Sequence, residues 1–196
     1  MTEFEKNGFM ILRNVLSSQT IELLSTEFKM LRDVNKHQSG LSDEDWSKLS
    51  DAQVPNSFYW YGAYCFESLM LVLQKTVEET IGKSLYPCYT YARIMGNGAK
   101  MAKHKDRPSC QYSVTICIEE DDKIQYPIFM ENYNGVASEV VLHAGDMLVY
   151  HGTELNHWRK KFKGTQHIQA FLHYVDANGS YKDHKYDKRI LLGTSK

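Results

Sequence analysis

His104-Lys105-Asp106 sets an imidazole and a carboxylate two residues apart. In an extended chain residues i and i+2 project from one face, so the two groups converge on a common point. A second imidazole from another strand would complete a set of two histidines and one carboxylate. That set leaves coordination positions open and suits Fe(II) working on oxygen. No thiolate belongs to it, which argues against a structural zinc site. His157 is the candidate third ligand, because it follows residues 145–150, a glycine turn running into an apolar strand. His143, ahead of that turn, and His151, at the far end of the strand, compete with it. No Ser-His-Asp or Cys-His grouping offers a nucleophilic alternative.

Ligands of this kind need strands to hold them, and the second half of the chain has the texture to supply them. The triplet lies between the turn Gly96-Asn97-Gly98 and a β-rich stretch at 111–118. Runs at 89–95, 111–118, 127–131, 138–142, 146–150 and 167–175 are short and rich in β-branched or aromatic residues. Asn97-Gly98, Asn134-Gly135, Ala144-Gly145 and Asn178-Gly179 mark turns between them.

The first half reads as helical. A strand candidate at 8–12 precedes a helix capped by Ser17 or Ser18, on which Ile21, Leu24, Phe28 and Leu31 recur at helical spacing. A second helix over 66–81 carries the stripe Leu69, Leu73, Val77 and Ile81 and stops at Gly82. Residues 36–55 are polar and read as an exposed loop with a turn or two of helix, and the charged tail 181–196 reads as loosely packed. Helices first and antiparallel strands after them predict an α+β domain. The preferred architecture is a double-sheet jelly roll backed by the N-terminal helices. One domain is expected over 1–196, with helical support to about 85 and the jelly roll over about 86–177.

Composition narrows the function classes. Lys and Arg number 23 and Asp and Glu 24, for a net charge of −1. That balance exerts no strong pull toward nucleic acid or acidic lipid. No apolar run approaches the length needed to span a bilayer. The polar start of the chain lacks a signal-peptide profile, so a cytoplasmic protein is expected. Cys65, Cys88, Cys110 and Cys117 form no C-x-x-C pair, and Cys110 and Cys117, in an apolar stretch, are expected as buried thiols.

Several stretches resemble the 2-oxoglutarate/Fe(II)-dependent dioxygenases, near their prolyl-hydroxylase-like branch. Residues 91–115, from Tyr91 through His104 and Asp106 to Thr115, are similar to the family's first metal segment. Residues 144–159, Ala-Gly-Asp-Met-Leu-Val-Tyr-His-Gly-Thr-Glu-Leu-Asn-His-Trp-Arg, are similar to the segment carrying the second histidine. Residues 169–176 resemble the closing strand, and 8–31 the usual opening strand and helix. The likeness spans most of the chain apart from the loop at 36–55 and the tail. It implies a double-stranded β-helix with iron near one mouth, held by His104, Asp106 and His157, and with 2-oxoglutarate and O2 as co-substrates.

One departure from the family matters. Many members place an Arg or Lys nine or ten residues after the second histidine, where it pairs with the distal carboxylate of 2-oxoglutarate. Here those positions are Gln166 and His167. A buried dianion needs a positive partner or several hydrogen bonds. Arg93, on the strand entering the site, is the expected substitute. It shares a strand face with Tyr91 and would be assisted by Tyr91, His167 or Gln169.

The implied reaction couples oxidative decarboxylation of 2-oxoglutarate to succinate with hydroxylation of a C–H bond in a protein side chain or small molecule. Arg107, Arg159, Tyr59 and Trp60 are candidates for the substrate entrance, with the aromatic stretch 58–61 as part of a lid over 36–64. Two other readings stand beside this one. An oxidative nucleic-acid demethylase is disfavoured by the near-neutral charge. A cupin-type jelly roll would bind metal without oxygen chemistry.

Overall fold

The computed structural model describes residues 2–42 and 45–194. A short helix α1 (Glu3–Asn7), closed by a reciprocal capping box between Thr2 and Glu5, leads into strand β1 (Phe9–Leu12). Helix α2 (Ser18–Gln38) follows; the Ser17 hydroxyl accepts from the Thr20 backbone N–H at 3.2 Å. It continues through residues that polar composition alone assigns to a loop. After α3 (Trp46–Leu49), strand β2 (Ser57–Tyr61) joins a sheet edge, so the aromatic stretch expected in a lid is regular structure. Helix α4 (Tyr64–Ile81) begins two residues early and ends at Gly82, whose φ of 77° suits glycine. Eight strands complete the chain: β3 (Leu85–Met95), β4 (Met101–His104), β5 (Tyr112–Glu119), β6 (Ile128–Glu131), β7 (Ala137–Val140), β8 (Met147–His151), β9 (His157–Arg159) and β10 (His167–Asp176).

All strand pairs are antiparallel. One sheet has the order β1-β8-β5-β10-β3-β2 and the other β4-β9-β6-β7. The fold is therefore mixed helix and antiparallel sheet, as the order of helical and β-rich segments predicts.

Strand alternation divides the large sheet into two unlike faces. On one, Ala92 and Ile94 of β3, Val114 and Ile116 of β5 and Ile168, Ala170 and Leu172 of β10 pack with Phe28 of α2 and Phe66, Met70 and Val77 of α4. Each fully buried Val, Ile, Leu, Met or Phe among them stabilises the fold by about 1.5–3 kcal/mol. The other face carries Tyr89, Tyr91 and Arg93 on β3, Ser113 and Thr115 on β5, and His167, Gln169 and His173 on β10. It looks toward the small sheet. Cys117, Leu148 and Tyr150 pack there against Ile128, Met130 and Val140. The apolar face holds the domain together, and the polar face is free to do chemistry.

The tail corrects an expectation. Residues 181–194 are docked rather than loose. Asp187 is 2% exposed, accepts from the Tyr61 hydroxyl at 2.8 Å and takes two bonds from Arg107 at 3.1 Å each. Arg189 is also buried and donates to Glu67 of α4 at 2.6 Å. Tyr186, Asp187 and Lys188 all have left-handed φ, between 54° and 65°. Such strain persists only where surrounding contacts over-determine it, and these two ion pairs supply them. Among the described residues no helix is long and apolar enough to cross a membrane.

Candidate metal centre

His104 closes β4 and His157 opens β9, and the two are direct partners across that antiparallel pair. Their ring centroids lie 4.3 Å apart. Asp106 stands just beyond β4, where its backbone N–H donates to Gly152 O at 2.9 Å. Its Oδ1 is 3.6 Å from His104 Nε2 and 3.5 Å from His157 Nε2. Ligand atoms of the three residues all fall within 4.8 Å of one another. Each histidine donates its Nδ1 proton to a backbone carbonyl, His104 to Ala102 at 2.8 Å and His157 to Leu155 at 3.2 Å. A carbonyl only accepts, so the Nε2 lone pairs are left facing the carboxylate, as metal ligation requires. Burial holds the His157 pKa below its ordinary value, against the pull of Asp106. The ring therefore stays neutral and available. The competitors are turned elsewhere, His143 toward Glu120 and His151 toward Tyr133 and Glu154.

A second layer fixes the carboxylate. Ser113 donates to Asp106 Oδ2 at 2.9 Å, and its oxygen lies 2.9 Å from His173 Nδ1. With its one proton spent on Asp106, the hydroxyl accepts from the imidazole. Burial pushes the His173 pKa down to about 4. Gly152 closes the back: a Cβ there would stand 2.5 Å from Asp106 Oδ2 and 2.8 Å from Ser113 Oγ. Asp106, Cys110 and His173 also cluster closely enough to share a metal. Burial, however, pushes the Cys110 thiol up to about 12, so it remains a protonated, poor ligand.

A cavity of about 300 Å³ opens onto the triad, with Gln53, Tyr91, Arg93, Phe171 and His173 among its walls. Two buried arginines, Arg93 in its wall and Arg159 two residues past His157 on β9, are in opposite electrostatic situations. Arg93 donates to Asp51 Oδ2 at 2.6 Å, to Gln53 at 3.1 Å and to Ser57 at 3.2 Å. The Tyr91 hydroxyl meets the same Asp51 oxygen at 2.6 Å. Arg159, expected at the entrance, is instead 3% exposed. Alternation along β9 turns it inward on the same face as His157. It donates to Tyr126 O and lies over the Tyr126 ring. Its Nε has no partner, and no carboxylate pairs with it among the described residues.

His167, whose pKa is depressed first by burial and then by Arg159 to about 3, also keeps an unpartnered Nδ1. Its Nε2 meets Gln169 Oε1 at 2.7 Å, and Gln169 donates to Thr115 at 2.6 Å.

The remaining entrance candidates separate. Arg107 is half exposed beside the metal set, paired with Asp187 and lying over Tyr89. Tyr59 stacks on Tyr91 at 5.4 Å. Trp60 points to the other side of the sheet and packs against the helical core. It lines a separate groove of about 870 Å³ between α2, β2 and the tail, which shares no wall residue with the cavity at the triad. Ser113, Gly152, Asp51 and Asp187 complete the surroundings of the site without any motif to announce them. A clue in the residues alone is Gly152 directly after a strand, before His157.

No protein-family model and no curated protein sequence matches the chain. Solved structures do. AviO1 from Streptomyces viridochromogenes Tue57 superposes with a TM-score of 0.69 at 16% identity, covering 90% of this chain and 93% of that one. The epimerase SnoN, in complex with Fe3+, alpha ketoglutarate and nogalamycin RO, gives 0.68 at 11% identity, over 89% and 81%. A Pseudomonas putida prolyl-4-hydroxylase gives 0.65 at 12% identity, over 89% and 95%. The chain thus has the fold of the 2-oxoglutarate-dependent non-haem iron oxygenases.

Proposed function

We propose that this chain is a single-domain 2-oxoglutarate-dependent Fe(II) oxygenase, built as a double-stranded β-helix, that hydroxylates a C–H bond in a small molecule or a protein side chain. His104, Asp106 and His157 would hold the metal. The observation that carries the co-substrate is Arg159. A fully buried guanidinium without a counter-ion is costly and calls for an anion. The unpartnered Arg159 Nε and His167 Nδ1 are both buried, Arg159 two residues along β9 from His157, and would receive the distal carboxylate of 2-oxoglutarate. Arg159 thereby replaces Arg93 as the anchor, because Arg93 already has Asp51.

When bound, iron, 2-oxoglutarate and O2 supply the oxidising power, with succinate and CO2 as products. The chain's own groups do the positioning. Ser113 and Gly152 fix the Asp106 carboxylate, the Ala102 and Leu155 carbonyls fix the ligand tautomers, and Gln169 with Thr115 fixes His167. The prolyl-4-hydroxylase neighbour favours hydroxylation, whereas SnoN is an epimerase on the same fold. A net charge of −1 supports a small molecule or protein substrate over nucleic acid.

Anaerobic Fe(II) with 2-oxoglutarate is expected to give a visible charge-transfer band, and air to release succinate. Metal binding with neither signal would favour the cupin-type reading.

A further inference from the structure

Arg93 is a buried charge on the inner sheet face, in the wall of the cavity that holds the triad, yet its counter-ion is not built into either sheet. Asp51 arrives from the connection between α3 and β2. One of its oxygens, Oδ1, is used by its own loop, accepting from the Gln53 and Val54 backbone N–H groups at 3.0 and 2.9 Å. The other, Oδ2, is offered to Tyr91 and Arg93, both at 2.6 Å. Burial opposes its ionisation, but these two donors and the Val54 N–H hold its pKa below the usual range.

Gln53, two residues on, spans the gap between cradle and metal ligand. Its Oε1 accepts from Arg93 at 3.1 Å, and its Nε2 lies 3.4 Å from His104 Nε2. That is the lone pair a metal would take. Gln53 and a loaded metal site therefore compete for one place, and loading the metal favours turning the Gln53 side chain away, which leaves Asp51 as the cradle's occupant. Once Asp51 leaves, the cradle presents the Arg93 guanidinium and the Tyr91 phenol, two donors already shaped for a carboxylate, with the Ser57 oxygen accepting from Arg93 and holding it in place.

The geometry points to a carboxylate-binding subsite at Arg93 and Tyr91, with Asp51 as its internal occupant, that takes the carboxylate of the primary substrate. The position of the reacting centre rests on the oxygenase reading; the cradle itself does not. A carboxylate seated there lies one side chain's length from the triad, so the C–H bond presented to the metal is a few atoms away from it. An internal occupant lowers the apparent affinity by the fraction of molecules in which the cradle is vacant.

The test uses the whole chain loaded with Ni(II) and saturating 2-oxoglutarate, so that no turnover occurs, and titrates butyrate with butyramide as the uncharged control. Asp51→Asn is expected to bind butyrate at least tenfold more tightly than the unsubstituted protein, with butyramide unchanged. Arg93→Gln added to Asp51→Asn should abolish the gain. Asp51→Ala serves if the Asn variant does not fold. Equal butyrate affinity in the unsubstituted and Asp51 variants would overturn the assignment. So would a tenfold loss of 2-oxoglutarate affinity in Arg93→Gln, which would make Arg93 the co-substrate anchor. Should Ni(II) and 2-oxoglutarate fail to bind at all, the oxygenase reading falls alone: the same titration on metal-free protein still reads the cradle.

Discussion

Arg93 and Arg159 are both 3% exposed and both belong to strands facing the inner space, yet only one is neutralised. At Arg93 a loop delivers Asp51, and tyrosines 59 and 91 lie against the guanidinium. At Arg159 the neighbours are a carbonyl, a phenol ring and an unpartnered imidazole nitrogen. A paired buried charge is part of the fold's own architecture. An unpaired one is a vacancy in the electrostatics that a ligand can fill directly, whereas an anion reaching Arg93 must first displace Asp51.

The comparison is meaningful only if the metal set lies where the geometry puts it, and the largest expected effect tests that. Gly152→Ala forces a methyl onto Asp106 and Ser113 and should lower Mn(II) affinity by about 100-fold, the upper end for disturbed ligand support. Calorimetric titration measures it, and an unchanged affinity would remove the common reference for both arginines.

The Arg159 end predicts ligand-dependent stability. At a hundredfold excess over its dissociation constant, 2-oxoglutarate should stabilise metal-loaded protein by about 2.7 kcal/mol. Scanning calorimetry should show the gain in Arg93→Gln and lose it at the same concentration in Arg159→Gln.

His167 gives the same end a pH signature. Its pKa is held at about 3 when folded, against an ordinary 6.5. Between those values the unfolded chain binds a proton that the folded chain does not. Stability is therefore fully present above about pH 6.5 and is lost as pH falls, by about 2 kcal/mol at pH 5. Urea unfolding of unsubstituted protein against His167→Gln should show a shallower fall in the variant, and parallel curves would remove His167 from the account.

The smallest effect belongs to the neutralised end. Arg93→Gln leaves Asp51 and Tyr91 without their cation, but Asp51 retains solvent contact, so the loss is expected at about 1–2 kcal/mol. Arg159→Gln should cost less than this in the free protein or even stabilise it, and chemical denaturation of both variants decides the order.

How legible these features were differs by residue and for physical reasons. His104 and Asp106 could be read because their spacing matches the two-residue repeat of a strand, and His157 because a turn and an apolar strand lead into it. β3, β5, β8 and β10 are long or apolar enough to show their character. β4 and β9 are four and three residues long and too short to show alternation. Arg159 is therefore legible as a residue near the candidate ligand His157 but not as one facing inward. Asp51 and Asp187 lie in a polar loop and a charged tail, where composition reads as solvated surface. Only the fold shows that each carboxylate reaches back to an arginine beside the metal set. The tail reads as loose for the same reason, since ion pairs to the buried Asp187 and Glu67 carboxylates leave no periodic trace.

The most direct test of the central claim is the anaerobic charge-transfer titration of Fe(II)-loaded protein with 2-oxoglutarate, run on unsubstituted protein, Arg159→Gln and Arg93→Gln. The band should saturate at similar concentrations in the unsubstituted and Arg93→Gln proteins and require about 100-fold more 2-oxoglutarate in Arg159→Gln, the loss expected when a charge-assisted pair is removed. Equal saturation in unsubstituted and Arg159→Gln proteins would contradict the assignment of Arg159 as the anchor.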